Sequence, residues 1–199
     1  MRLMPPPIRV EDVRARLAFR PVQQLSPSGA SAAVTMLLEE REGDTSILLI
    51  HRAERRGDPW SGHMAFPGGF REPSESDLFH TAVRETREEV GIDIERHGER
   101  IGVLDDVRAA SHRPVDLIIR PYVCALTAEV SLCPQAKEVQ QAVWIPLAAL
   151  ERPETKSVYR RGLGGHESEF PAFMYRGFTI WGLTYRMLST LLALVREEH

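Results

Sequence analysis

A chain of 199 residues, 43% hydrophobic and 27% charged, is long enough to bury a core without disulfide or metal staples and is ordinary for a globular protein. Its net charge of −3 offers no field to draw in nucleic acid or an anionic membrane surface, and no run approaches the roughly 18 apolar residues of a spanning helix. Cys124 and Cys133 lack C-x-x-C or Cys/His spacing and the seven histidines are scattered, which argues against a zinc site and for reduced thiols. The first residues, MRLMPPPIRVEDVRARLAF, hold no apolar signal region, so a cytoplasmic location without membrane anchoring is expected.

After Pro5-Pro6-Pro7, apolar residues at Ile8, Val10, Val13, Leu17 and Phe19 follow a helical stripe that Pro21 closes. A short helix docked outside the core is expected there, as an extension over about residues 1–21. Ala30 to Leu38 and Ser46 to His51 read as two long strands joined by a charged turn containing Gly-Asp. A loop from Ala53 to Met64 follows, with Arg52, Arg55, Arg56, Trp60 and His63 just before a glycine pair. Guanidinium groups bind phosphate oxygens bidentately, so these arginines suit a phosphate clamp or, equally, a solvated loop. Trp60 suits either a base stack or the core, the core being the expectation.

Residues 68–92, GGFREPSESDLFHTAVRETREEVGI, pair a glycine turn with a helix. Ser74 and Asp77 have capping-box spacing for its start, and Gly91 suits a left-handed C-terminal cap. At 3.6 residues per turn Glu85, Glu88 and Glu89 fall within an arc of roughly 100°, while Phe79, Ala82, Val83, Thr86 and Val90 occupy another flank. Carboxylates at i, i+3 and i+4 repel, so stability alone does not select the cluster. A hard divalent cation does, because Mg²⁺ takes oxygen ligands from carboxylates, waters and substrate phosphates.

Farther on, Arg100 to Leu104 and Asp116 to Leu126 read as strands around a polar rim loop from Val107 to Val115 that includes Ser111, His112, Arg113 and Pro114. Trp144 and Ile145 end a strand that leads, through Pro146, into a short helix at Leu147 to Leu150. Residues 152 to 169 show no regular pattern, and Phe170 to Phe178 suggests a hairpin returning to the sheet. Ile180 opens a last helix whose stripe of Leu183, Met187, Leu188, Leu191, Leu192 and Val195 is core packing. No repeat interrupts the chain, so one domain over residues 1–199 is expected, a sheet between helices.

The 68–92 stretch resembles the Nudix box, G-x5-E-x7-R-E-U-x-E-E-x-G-U, at Gly69, Glu75, Arg84, Glu85, Glu88, Glu89, Gly91 and Ile92. It departs in two places: eight residues separate Glu75 from Arg84, and Thr86 stands where an aliphatic residue is usual. The resemblance implies an α/β Nudix fold, an α/β/α sandwich with a central mixed β-sheet. It also implies hydrolysis of a nucleoside diphosphate linked to another moiety, with Mg²⁺ as cofactor and Mn²⁺ as a substitute. Glu85, Glu88 and Glu89, with the Gly69 carbonyl, are the implied metal ligands. Glu85, Glu88 or Glu138 is the implied base, with Arg84 and Glu75 supporting. Substrate contacts are expected from Arg52, Arg55, Arg56, Trp60 and Phe66.

Within that family, Ala65 to Gly69 as AFPGG, the fourteen residues between Gly69 and Arg84, and Ile180 to Thr184 look like the coenzyme A pyrophosphatase branch. Of that branch's upstream signature, L-L-T-x-R-S-x3-R-x3-G-x-V-A-F-P-G-G, the chain has Leu48, Leu49, Arg52 and Gly62. Arg52 to Gly62 is one residue too long, Ala53 replaces the serine and Met64 the valine. Coenzyme A therefore stands beside ADP-ribose, a dinucleotide or a nucleotide sugar as the expected small-molecule partner. A non-catalytic nucleotide sensor is the reading from another class, although such domains commonly lose a box glutamate. Nothing in the sequence marks a homodimer surface.

Overall fold

A computed structural model describes residues 5–26, 29–41, 43–55, 60–109, 116–163 and 166–197. The central sheet is built on β1 (Ala30–Arg41), which pairs antiparallel with β2 (Asp44–Arg52), Arg41 standing opposite Asp44. On its other side β1 runs parallel to β7 (Leu117–Leu126), from Ala30 opposite Leu117 to Leu38 opposite Ala125. The sheet is therefore mixed, as expected. β3 (Met64–Ala65) and β8 (Val139–Pro146) both pair antiparallel with β2, β4 (Gly68–Phe70) with β1, and β5 (Gly98–Val103) and β6 (Val107–Ala109) with β7.

Thr45 to Ile50 are all buried, the mark of a strand covered on both faces. Strand alternation sends Met36, Leu38, Ile47 and Leu49 to one side and Ala33, Leu37, Leu48 and Ile50 to the other. On the second side lies α2 (Leu78–Val90), which contributes Ala82 and Val90, and after it the short α3 (Ile94–His97). On the first side lies α5 (Gly182–Arg196), with Met187, Leu188, Leu191, Leu192 and Val195 facing inward, together with α4 (Leu147–Leu150). The outcome is the expected α/β/α sandwich.

Six expectations are corrected. The N-terminal helix α1 (Val10–Ala18) is not outside the core: Ile8, Val13 and Leu17 belong to the larger apolar cluster. Gly102 on β5 makes this contact, since a Cβ there would run into Leu17. Ser74 does not cap α2. Asp77 does, accepting from the N–H groups of Phe79 at 2.7 Å and His80 at 3.2 Å. Val107 to Ala109 is a strand rather than loop, whereas 110–115, the rest of the expected rim, lies outside the described residues.

The described residues between 152 and 169 are regular after all. β9 (Lys156–Leu163) and β10 (His166–Tyr175) pair antiparallel, and β11 (Phe178–Trp181) adds to β10. These strands form a separate three-stranded sheet instead of returning to the main one. Phe173 and Ile180, a cross-strand pair, seat it in the main cluster. Ile180 and Trp181 accordingly end a strand, and α5 begins at Gly182.

Candidate active site

The glycine turn and α2 meet at their carboxylates. Gly68 N–H donates to Glu89 Oε2 across 2.9 Å, and the Glu89 carboxylate is turned inward, the residue being 3% exposed. A Cβ at Gly69 would occupy the place of the Glu85 carboxylate, which explains why glycine stands there. Gly91 closes α2 in the left-handed conformation (φ 75°), donating to the Arg87 carbonyl at 3.0 Å.

Arg84 is the hub of the cluster. Its Nε donates to Glu75 Oε1 at 2.9 Å, and Nη1 donates to Glu85 Oε1 at 2.8 Å and to Glu88 Oε2 at 3.0 Å. The remaining Nη2 donates to the Phe70 carbonyl at 3.1 Å, tying helix to turn. Glu75 Oε2 accepts from Thr81 Oγ1 and from the Glu72 N–H, both at 2.7 Å. Burial works against the Glu75 charge, but the bonds from Thr81 and Arg84 outweigh it and hold the carboxyl below its ordinary range. The extra residue between Glu75 and Arg84 thus leaves this pair intact.

The other acids respond oppositely. Burial raises Glu85, with Arg84 offsetting part of the effect and Glu88 and Glu138 adding to it. Burial pushes Glu89 up to about 8, against the Gly68 hydrogen bond, with the charges of Glu85 and Glu138 reinforcing it and Arg52 opposing it. Glu138 stands in the turn just before β8, with Arg55 Nη2 donating to its Oε1 at 3.0 Å and the Ala53 N–H to its carbonyl at 2.9 Å. The loop carrying it is fastened to the end of α2, where Gln135 N–H donates to the Glu89 carbonyl and Cys133 N–H to the Val90 carbonyl, both at 2.9 Å.

A divalent cation suits this donor set. Glu85 and Glu89, with Glu138 near enough to raise both, concentrate negative charge in a buried place where a dication would relieve the repulsion. Glu88, 56% exposed, is turned into the Arg84 fork, and among the described residues no three acidic, histidine or cysteine side chains stand in a ready ligand shell.

Of the expected substrate contacts, Arg52 and Arg55 lie beside these acids, while Arg56 falls outside the described residues. Trp60 is exposed rather than in the core. Phe66 is 3% exposed inside the larger apolar cluster, so its ring packs the core and offers a substrate no surface. Gly68 N–H and the Phe70 carbonyl were not foreseen, being backbone groups with no side-chain signal. Nor was the pairing of Thr86 Oγ1 with Thr35 Oγ1 at 2.8 Å, which places a hydroxyl where the motif has an aliphatic group.

The family profile for the NUDIX domain matches residues 29–163. An uncharacterized protein of Schizosaccharomyces pombe is 43% identical over 115 residues, covering 56% of this chain and 35% of that protein. This chain therefore matches only about a third of that relative's length. The human protein named mitochondrial coenzyme A diphosphatase NUDT8 is 33% identical over 174 residues, 85% of this chain and 68% of that one. Among solved structures, a MutT/nudix family protein from Enterococcus faecalis superposes with a TM-score of 0.54 at 18% identity, over 93% of this chain and 67% of that one.

Proposed function

The chain belongs to the Nudix family, and from that premise we propose that it hydrolyses the pyrophosphate bond of a nucleoside diphosphate linked to another moiety, coenzyme A or its derivatives first. The observation that carries the reading is the convergence of buried Glu85 and Glu89 on the Gly68-Gly69 turn, with Arg84 holding Glu85 from behind. Such crowding opposes folding stability and is justified by a cationic ligand and a phosphate-bearing substrate.

Hydrolases of this family require a divalent cation. Bound by Glu85 and Glu89, with Glu88 and the Gly69 carbonyl contributing, Mg²⁺ would neutralise phosphoryl oxygens and lower the pKa of the attacking water. The chain's own residues do the rest. Arg84 orients Glu85, as an outer partner orients a ligand. Arg52, a charged neighbour of Glu89, would meet a phosphate oxygen. Glu138 stands where it can accept a proton from water, and Arg55 fixes its carboxylate at 3.0 Å.

Coenzyme A is supported by the name of the human relative and by the AFPGG run at Ala65 to Gly69. The longer Arg52 to Gly62 spacing and Ala53 favour keeping ADP-ribose, dinucleotides and nucleotide sugars in the same test. The full chain is incubated with this panel, with and without Mg²⁺, and the products are resolved. Adenosine 3′,5′-bisphosphate with 4′-phosphopantetheine, formed only with the cation, is the expected result. Cleavage confined to another member reassigns the substrate. Binding without cleavage of any member replaces hydrolysis with sensing.

A further inference from the structure

The three-stranded sheet carries an aromatic face that the chemistry above does not use. Alternation along β9, β10 and β11 sends Phe173 and Ile180 into the core and puts Tyr159, Phe170 and Trp181 on the opposite face. Tyr159 stacks on Trp181 with ring centroids 4.2 Å apart and planes 25° from parallel, and Phe170 lies 5.5 Å from Trp181. All three rings are half-buried. The Arg161 guanidinium sits over the Trp181 ring at 5.7 Å.

This face adjoins the carboxylate site. Ile50 opposite Ala65 and His51 opposite Met64 place His63 across from Arg52, and the Arg52 N–H donates to the His63 carbonyl at 3.1 Å. The backbones of Arg52 and His63 therefore adjoin, and Arg52 is in turn a charged neighbour of Glu89. The His63 ring packs edge-on against Trp181 at 4.9 Å. One contact therefore separates the aromatic wall from the residue proposed to meet a phosphate.

The charge pattern suggests what the wall receives. Arg160 is neutralised by Glu169 at 2.8 Å, whereas among the described residues no carboxylate pairs with Arg161. A planar cation kept over a ring and left without an acid suits a phosphate, and parallel rings suit a nucleobase, whose stacking is strong and tolerant of base identity. Resting on the hydrolase reading above, we propose that the wall of Tyr159, Trp181 and Arg161 holds the nucleoside half of the substrate. The base continues the Tyr159–Trp181 stack, and Arg161 binds a phosphate borne on the ribose, outside the scissile diphosphate.

Binding to the full chain is measured by calorimetry without metal, using adenosine 3′,5′-bisphosphate and adenosine 5′-monophosphate. The bisphosphate is expected to bind about tenfold tighter. Arg161→Gln, which keeps most of the side-chain volume, should erase that preference, and Tyr159→Leu should weaken both ligands by about tenfold. Arg160→Gln, on the opposite face, should change neither. Equal affinity of the two nucleotides for the unaltered chain, absence of binding, or wild-type affinities in Arg161→Gln overturns the assignment. Binding with the expected preference but no cleavage of any diphosphate refutes the hydrolase reading and leaves the subsite standing. Cleavage with unchanged affinities in both variants does the reverse.

Discussion

The Gly68 N–H and Glu89 Oε2, 2.9 Å apart, join the glycine turn to the last turn of α2 through a carboxyl that is almost wholly buried. The same carboxyl faces the charges of Glu85 and Glu138, with Arg52 as its cationic neighbour. The residue proposed to hold a cation is thus a source of instability in the cation's absence.

Its pH dependence follows directly. Glu89 is pushed from 4.5 to about 8, chiefly by burial, so between those values the folded chain binds a proton that the unfolded chain has released. Stability without metal should therefore be greatest in the acid part of this window and fall as pH rises towards 8. The melting temperature of metal-free protein should decline between pH 5 and 8, and Glu89→Gln should flatten that decline and be the more stable form at pH 8, by on the order of a few kcal/mol. Added Mg²⁺ should raise the melting temperature of the unaltered chain only, and the variant's turnover should drop by orders of magnitude. A decline that persists in Glu89→Gln would place the titrating group elsewhere.

Arg84 donates to Glu75, Glu85 and Glu88 and to the Phe70 carbonyl, a set that only a planar fork can serve at once. Arg84→Lys keeps the charge and loses the fork. It should fold, weaken Mg²⁺ by about 10- to 100-fold in a thermal-shift titration, and lose turnover at saturating Mg²⁺. Rescue of Mg²⁺ affinity by lysine would mean that charge alone holds Glu85 in place.

How much of this site could be read beforehand depends on whether local spacing or a distant partner sets each residue. Glu85, Glu88 and Glu89 share a helix, so their proximity follows from 3.6 residues per turn. That Glu89 turns inward while Glu88 stays at 56% exposure depends on Gly68, twenty-one residues away. Ser74 and Asp77 are both good capping residues, and the choice went to Asp77 because Arg84 and Thr81 draw Glu75 into the cluster instead of leaving it to the helix start. The hairpin of residues 156 to 175 hides behind charges and glycines because what seats it, Phe173 against the α5 side of the core, is non-local. For α1 the apolar stripe was visible, but its partner, the space above Gly102, was not.

Thr35 and Thr86 form a fully buried hydroxyl pair between β1 and α2, where Thr86 Oγ1 also lies 2.7 Å, and Thr35 Oγ1 3.2 Å, from the Ala82 carbonyl. Removing one hydroxyl leaves its partner buried with fewer bonds, while removing both leaves an apolar contact of nearly the same shape. Thr35→Val and Thr86→Val should each destabilise by about 1 kcal/mol, and the double variant should cost less than the sum. Denaturant unfolding of all four forms measures the coupling. Strict additivity would mean that the two hydroxyls act independently.

Gly69 offers the sharpest separation of function from fold. A Cβ at this position would overlap the Glu85 carboxylate, and the atoms in the way are the end of a side chain rather than backbone. Gly69→Ala can therefore be accommodated by displacing that carboxylate, with the turn preserved. The displaced group would leave Arg84 Nη1, now 2.8 Å away, and so leave the place proposed for a cation. The expected outcome is a stability change within about 1 kcal/mol, a Mg²⁺ requirement raised at least tenfold, and a loss of turnover that excess Mg²⁺ restores only in part. Unchanged Mg²⁺ dependence in a folded Gly69→Ala protein would show that Glu85 does not need to lie against the turn to do its work.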